Sequence, residues 1–245
     1  MSSANVIEIF SSVQGEGKYI GCRQVFVRLA DCNLNCAYCD TNFRRADFCN
    51  VENFAGAMTF RTEKNPVESA RLVDLVKNFC NAVPTQAVSF TGGEPLLHWQ
   101  FIRDVAGAIK NFGVKIFLET NGTLATELEK ISGVVDIVSM DIKLPGIVGK
   151  NLFAAHEKFL RAAQGLDLYV KIVVTGETTR EEFLSAIKLV ANIDEKILTI
   201  LQPVTPVAQV SAISPEKILE LQSVALRTLK NVRVIPQAHK LLAVP

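Results

Sequence analysis

Residues 25–39 read Val-Phe-Val-Arg-Leu-Ala-Asp-Cys-Asn-Leu-Asn-Cys-Ala-Tyr-Cys, an apolar run that opens into three closely spaced cysteines. Val25–Ala30 has the length and β-branched content of a buried strand. Cys32, Cys36 and Cys39 then form a CxxxCxxC array. Thiolates are soft ligands that select zinc, Cu(I) or iron–sulfur clusters. A structural zinc site closes with four protein ligands, whereas a cubane cluster held by three thiolates leaves one iron open. The local count stops at three. Cys49 could complete a zinc knuckle, so both centres remain possible at this point.

Similar apolar runs lie at Ala87–Phe90, Lys115–Leu118, Val135–Met140, Leu168–Val174, Lys196–Leu201 and Val232–Ile235. Helical patterns separate them. Asn65-Pro66-Val67-Glu68 offers an N-cap, a proline at the first helical position and a glutamate at the third, before Val73, Val76, Phe79 and Val83. Thr179-Arg180-Glu181-Glu182 repeats that logic before Phe183, Ile187 and Val190. Ser214-Pro215 starts a helix whose inner face is Ile218, Leu221, Ala225 and Leu229. Alternating strands and helices imply an α/β fold built on a mostly parallel sheet, either open or barrel-like. With no repeat or Gly/Ser linker, residues 1–245 read as one domain, with an insertion around 44–66.

Polar clusters follow five of the strands: Asp31-Cys32, Thr91-Gly92-Gly93-Glu94-Pro95, Glu119-Thr120-Asn121-Gly122, Asp141-Ile142-Lys143 and Gln202-Pro203. In a barrel-like fold these strand ends share one rim, where catalytic groups collect. The chain carries 26 Lys+Arg against 25 Asp+Glu, a formal charge of +1, which removes the basic footprint of a nucleic-acid or anionic-membrane binder. The uncharged run Ile197–Pro215 contains Gln202, Pro203, Pro206, Gln209 and Pro215, so it reads as strand plus loop rather than a membrane span. The first basic residue is Lys18, so no secretory n-region is read, and six cysteines fit a reducing cytoplasm.

The CxxxCxxC loop after one strand, with Thr-Gly-Gly-Glu-Pro after the next, resembles the radical S-adenosylmethionine (SAM) superfamily. The resemblance implies a partial TIM-like β/α barrel and one [4Fe–4S] cluster on Cys32, Cys36 and Cys39. It also implies SAM on the open iron, where one electron would release a 5′-deoxyadenosyl radical. Glu8-Ile9-Phe10, Val13-Gln14-Gly15-Glu16-Gly17, Asp40-Thr41 and the tail Pro236–Pro245 are similar to the 7-carboxy-7-deazaguanine synthases. In those enzymes the radical takes hydrogen from C6 of 6-carboxy-5,6,7,8-tetrahydropterin, which becomes 7-carboxy-7-deazaguanine with loss of ammonia, a step toward queuosine.

Residue roles follow from that resemblance. Val13, Gln14, Gly15, Glu16, Thr91, His239 and Pro245 would bind the pterin, with Arg28 on its carboxylate. Thr41 would hold Mg²⁺. Tyr38, Asp40, Gly93, Glu94, Ser139, Lys143 and Gln202 would bind SAM, with Gly92 and Gly93 admitting its methionine moiety. A flavodoxin or ferredoxin reductant and a homodimer are implied as well. His98 and His156 read as structural, and Cys22, Cys49 and Cys80 as small apolar residues or free thiols. Asp-Ile-Lys and Cys-x-x-x-Cys-x-Tyr-Cys also occur in glycyl-radical activating enzymes, the second reading; a non-catalytic zinc module is the third.

Overall fold

The computed structural model describes residues 2–39, 41–206 and 210–245. Ten strands form one sheet: β1 (Val6–Val13), β2 (Arg23–Leu29), β3 (Phe48–Glu52), β4 (Phe60–Lys64), β5 (Ala87–Gly92), β6 (Lys115–Thr120), β7 (Ile137–Asp141), β8 (Asp167–Val174), β9 (Thr199–Pro203) and β10 (Val232–Val234). Their spatial order is β10-β9-β8-β7-β6-β5-β2-β1-β3-β4. From β2 through β10 every neighbouring pair is parallel; β1 runs antiparallel to β2, and β4 antiparallel to β3. The sheet does not close, since β10 and β4 are its edges. This is the partial barrel expected of the fold family.

Helical crossovers link the parallel strands: α1 (Ser69–Ala82), α2 (Trp99–Lys110), α3 (Ala125–Glu129), α4 (Pro145–Val148), α5 (Phe153–Ala162), α6 (Arg180–Ile193) and α7 (Pro215–Ala225). A last helix, α8 (Ala238–Leu242), ends the chain. The Thr179 capping box forms as the sequence predicts, with Thr179 Oγ1 accepting from the Glu182 amide and the Glu182 carboxylate accepting from the Thr179 amide. Ser214 caps α7 by accepting from the Lys217 amide at 3.2 Å. The start of α1 differs. Val67–Glu68 pairs with Ser3–Ala4 as a two-residue strand, and Ser69 is the first helical residue. Asn65 is drawn elsewhere: its side chain accepts from the Val6 amide and donates to the Val6 and Ala46 carbonyls. Long-range backbone satisfaction outcompetes the local cap there.

Two further departures concern the N-terminal third. β1 adds an eight-residue strand with Glu8, Ser11 and Ser12 in it, too polar to be read as an apolar run. The insertion around 44–66 carries the hairpin β3–β4, which extends the same sheet. The core lies between the helices and the outer face, and includes Leu72, Phe101, Ile102, Phe159 and Phe183. Inside the barrel, Ala87, Phe117, Ile137, Tyr169, Leu198 and Ile200 pack a separate apolar layer at the lower strand ends. That layer is the floor beneath the rim.

Candidate active site

Side chains alternate across a strand, and Cα partners on neighbouring strands face the same side. The register therefore builds the site. Glu8 on β1 pairs with Arg28 on β2, and Arg28 pairs with Thr91 on β5. The Thr91 hydroxyl donates to the Glu119 carboxylate on β6 at 2.7 Å. One pleat higher, Asp141 on β7 pairs with Lys171 on β8. All of these line one cavity of about 500 Å³, the usual size for a small-molecule site.

The cysteine loop forms the opposite wall. Cys32, Cys36 and Cys39 line this cavity, with Tyr38 and Thr41 beside them. Burial pushes the Cys32 and Cys36 thiols up, so a bound metal has to displace their protons. Cys49 is elsewhere, buried in β3 within the main core, so the four-cysteine zinc knuckle is not assembled. Among the described residues, no group of three or more His, Cys, Asp or Glu converges as ligands of a single metal ion. Thiolates that each hold a different iron of a cubane need not converge on one point, so the donor set and its placement fit the cluster.

The Thr91–Pro95 loop is stitched to the cysteine loop. Gly93 N–H donates to the Leu29 carbonyl at 3.1 Å and Glu94 N–H to the Asp31 carbonyl at 2.8 Å. A Cβ at Gly93 would stand 1.9 Å from the Asp31 oxygen, and one at Gly92 (φ +124°) 2.2 Å from the Leu29 oxygen. These glycines are thus demanded by contact with the end of β2, in addition to any approach of a ligand. Glu94 does not reach the cavity. It is fully buried, accepting from Leu96 N–H, from Thr120 Oγ1 at 2.9 Å and from Asn121 N–H at 2.8 Å, and burial raises its pKa to about 7. Ser139 is also off the wall, because it sits in β7 one pleat below Asp141, roughly 7 Å deeper. Asp40 lies outside the described residues.

The other sequence candidates do meet. Val13, Gln14, Gly15, Glu16, Arg28, Thr91, Gly93, Lys143, Gln202, His239 and Pro245 line the same cavity. Gln14 Nε2 donates to Glu119 at 2.8 Å, giving a half-buried row of donors and acceptors. Arg28 Nε donates to Glu8 at 2.7 Å, with its guanidinium 5.9 Å from the centre of the Phe10 ring. Among the described residues, buried Gln202 Oε1 has no hydrogen-bond partner, as expected of an acceptor reserved for a ligand. Lys143 Nζ lies 2.8 Å from Asp141 and 3.3 Å from the Tyr38 hydroxyl. Burial opposes the Lys143 charge, but Asp141 outweighs it and holds the ammonium well above its ordinary range.

Sequence reading gave no role to Glu8, Glu119, Asp141, Lys171 or Gln237, which also line the cavity. Glu8, Glu119, Asp141 and Gln237 stand inside motifs already quoted. Lys171 had a signal of its own: a lysine at the centre of a buried strand requires paired carboxylates.

Comparison with known proteins agrees with this geometry. The family model of the radical SAM superfamily matches residues 27–194. A 7-carboxy-7-deazaguanine synthase of Geobacter sulfurreducens is 40% identical over 98% of this chain and 97% of its own length. Another, from Methanocaldococcus jannaschii, is 36% identical over 96% of this chain and 98% of its own. The crystal structure of QueE from Escherichia coli superposes with a TM-score of 0.61 at 20% identity, covering 97% of this chain and 95% of that one, which establishes a shared fold. Matches that run almost end to end leave one conclusion: this chain belongs to the radical SAM superfamily and, within it, to the 7-carboxy-7-deazaguanine synthase family.

Proposed function

We propose that this lyase converts 6-carboxy-5,6,7,8-tetrahydropterin to 7-carboxy-7-deazaguanine with loss of ammonia. The observation that carries the reading is the single cavity in which the three cysteines face Gln14, Glu16, Arg28, Thr91 and Glu119. A pterin presents a mixed donor and acceptor edge, which Gln14, Glu119 and Thr91 match as an already bonded set. Arg28 would receive the substrate carboxylate on its terminal nitrogens, since its Nε is occupied by Glu8. Once bound on Cys32, Cys36 and Cys39, the cluster and SAM would supply the electron and the carbon radical that abstracts hydrogen.

The remaining work belongs to the protein. Gly93, Lys143 and Gln202 would hold SAM from the cluster side, and Tyr38 would pack beside it. Glu94 would act indirectly, by fixing the loop that carries Gly93. Thr41 would give one oxygen to Mg²⁺, an ion that keeps several waters and tolerates a single protein ligand. The tail, through His239 and Pro245, would close the cavity and exclude water from the radical. A flavodoxin or ferredoxin is the proposed electron donor, a homodimer the proposed assembly and the cytoplasm the proposed compartment. Among the described residues, no helix is long and apolar enough to cross a membrane.

The test is an oxygen-free incubation with SAM, reductant and the carboxypterin, with mass analysis for the deazaguanine acid. Product formation supports the reading. Absence of product from iron-loaded protein that still cleaves SAM overturns it, and radical transfer to a glycine peptide would favour an activating enzyme instead.

A further inference from the structure

Lys171 is nearly sealed from solvent, with a side-chain exposure of 6%, yet it reaches the cavity wall. Its ammonium pairs with the Glu16 carboxylate and lies 3.3 Å from Asp141. The other Glu16 oxygen accepts from Gln237 Nε2 at 2.7 Å. Gln237 opens the C-terminal segment, and its own side-chain oxygen accepts from the Thr205 hydroxyl. The next residue continues the attachment, as Ala238 N–H donates to the Gly15 carbonyl at 2.8 Å. His239 then rests so closely on Gly15 that a Cβ there would come within 2.1 Å of its ring. Sheet, loop and tail are joined through one carboxylate.

A buried carboxylate keeps its place only while its charge is compensated. Asp141 repels Glu16, and Lys171 is the cation between them. Without that cation Glu16 would take up a proton or turn away, and Gln237 would lose a charged acceptor. We infer that Lys171 is a positioning residue which, by fixing Glu16, latches residues 237–245 as a wall of the cavity. The seating of the tail and the grip on substrate then share a dependence on one ammonium. The substrate part of this rests on the function proposed above; the latch itself does not.

Two readouts on the full chain separate the parts. Amide hydrogen exchange of residues 237–245 needs neither cofactor nor substrate. In Lys171→Met it should rise about ten-fold or more, the scale expected for a lost charge-assisted hydrogen bond, while β6 stays protected. KM for the carboxypterin should rise by a similar factor with iron content unchanged, and Lys171→Arg should recover most of both. If Lys171→Met does not fold, Gln237→Ala breaks the same latch from the tail side and must raise both tail exchange and KM. Unchanged tail exchange in either folded variant overturns the latch. A wild-type chain that does not turn over the carboxypterin overturns the substrate reading instead.

Discussion

Arg28 concentrates several demands at one position. Its Nε is taken by Glu8 and its guanidinium stands 5.9 Å from the centre of the Phe10 ring, so its terminal nitrogens are the ones left for a ligand. A lysine keeps the charge but has no planar fork to share between two carboxylates. Arg28→Lys should therefore raise KM for the carboxypterin about ten-fold or more while leaving iron content unaltered; an unchanged KM would reduce Arg28 to a strand-pairing ion. Cys36→Ala should remove both the cluster and turnover, as measured by iron analysis and product formation. A full iron complement in that variant would contradict the ligand assignment. Thr41→Ala should weaken the response to Mg²⁺ and spare the cluster, because its hydroxyl is the only part of it assigned to the ion.

At the scale of elements, the loop after β5 and the cap of α6 make a contrast. Gly93 cannot become alanine without moving the β2 end, since the new methyl group would occupy the space of the Asp31 oxygen. Gly93→Ala should lower the melting temperature and impair cluster incorporation together, because the same backbone carries Cys32. The Thr179 box does not line the cavity. Thr179→Ala should cost about 1 kcal/mol, a fall of roughly 2–4 °C in Tm for a chain of this size, with kcat unchanged. A loss of activity at constant stability would refute that separation.

Across the whole molecule, burial of ionisable groups makes stability depend on pH. His156 on α5 is fully buried, and burial depresses its pKa from 6.5 to about 4. A depressed histidine favours the folded state fully above 6.5 and loses that contribution as pH falls toward 4, about 3 kcal/mol in all. Glu94 runs oppositely: with its pKa raised from 4.5 to about 7, it loses stabilisation as pH rises between those values. Glu16 and Asp141, both held below the usual carboxylate range once Lys171 and Lys143 outweigh burial, contribute stability that is lost as pH falls below their ordinary values of 4.5 and 3.8. The histidine can be isolated by comparison with His156→Leu. Between pH 6.5 and 4 the wild type should lose stability relative to this variant in denaturant titrations; parallel curves would rule the contribution out.

Strands β2 and β5–β10, helices α1, α6 and α7, the thiolate loop and the glycine turn beside it could be read from residues alone, because periodicity and ligand spacing are local properties. The Thr179 and Ser214 caps were legible for the same reason. What needed the tertiary structure was everything decided by register. Glu8, Arg28, Thr91 and Glu119 come from four strands and become neighbours only when the sheet pairs. Asn65 abandons a plausible local cap because two buried backbone groups of Val6 lie within reach. Glu94 belongs to a recognisable motif, but its three bonds to the β6 end and its own loop turn it away from the cavity. Lys171, an oddity within an apolar run, acquires its carboxylates from β7 and from a loop 155 residues away. Sequence spacing specifies what a segment can ligate or cap; the long-range compensation of buried charge and buried backbone decides which side chains face the ligand.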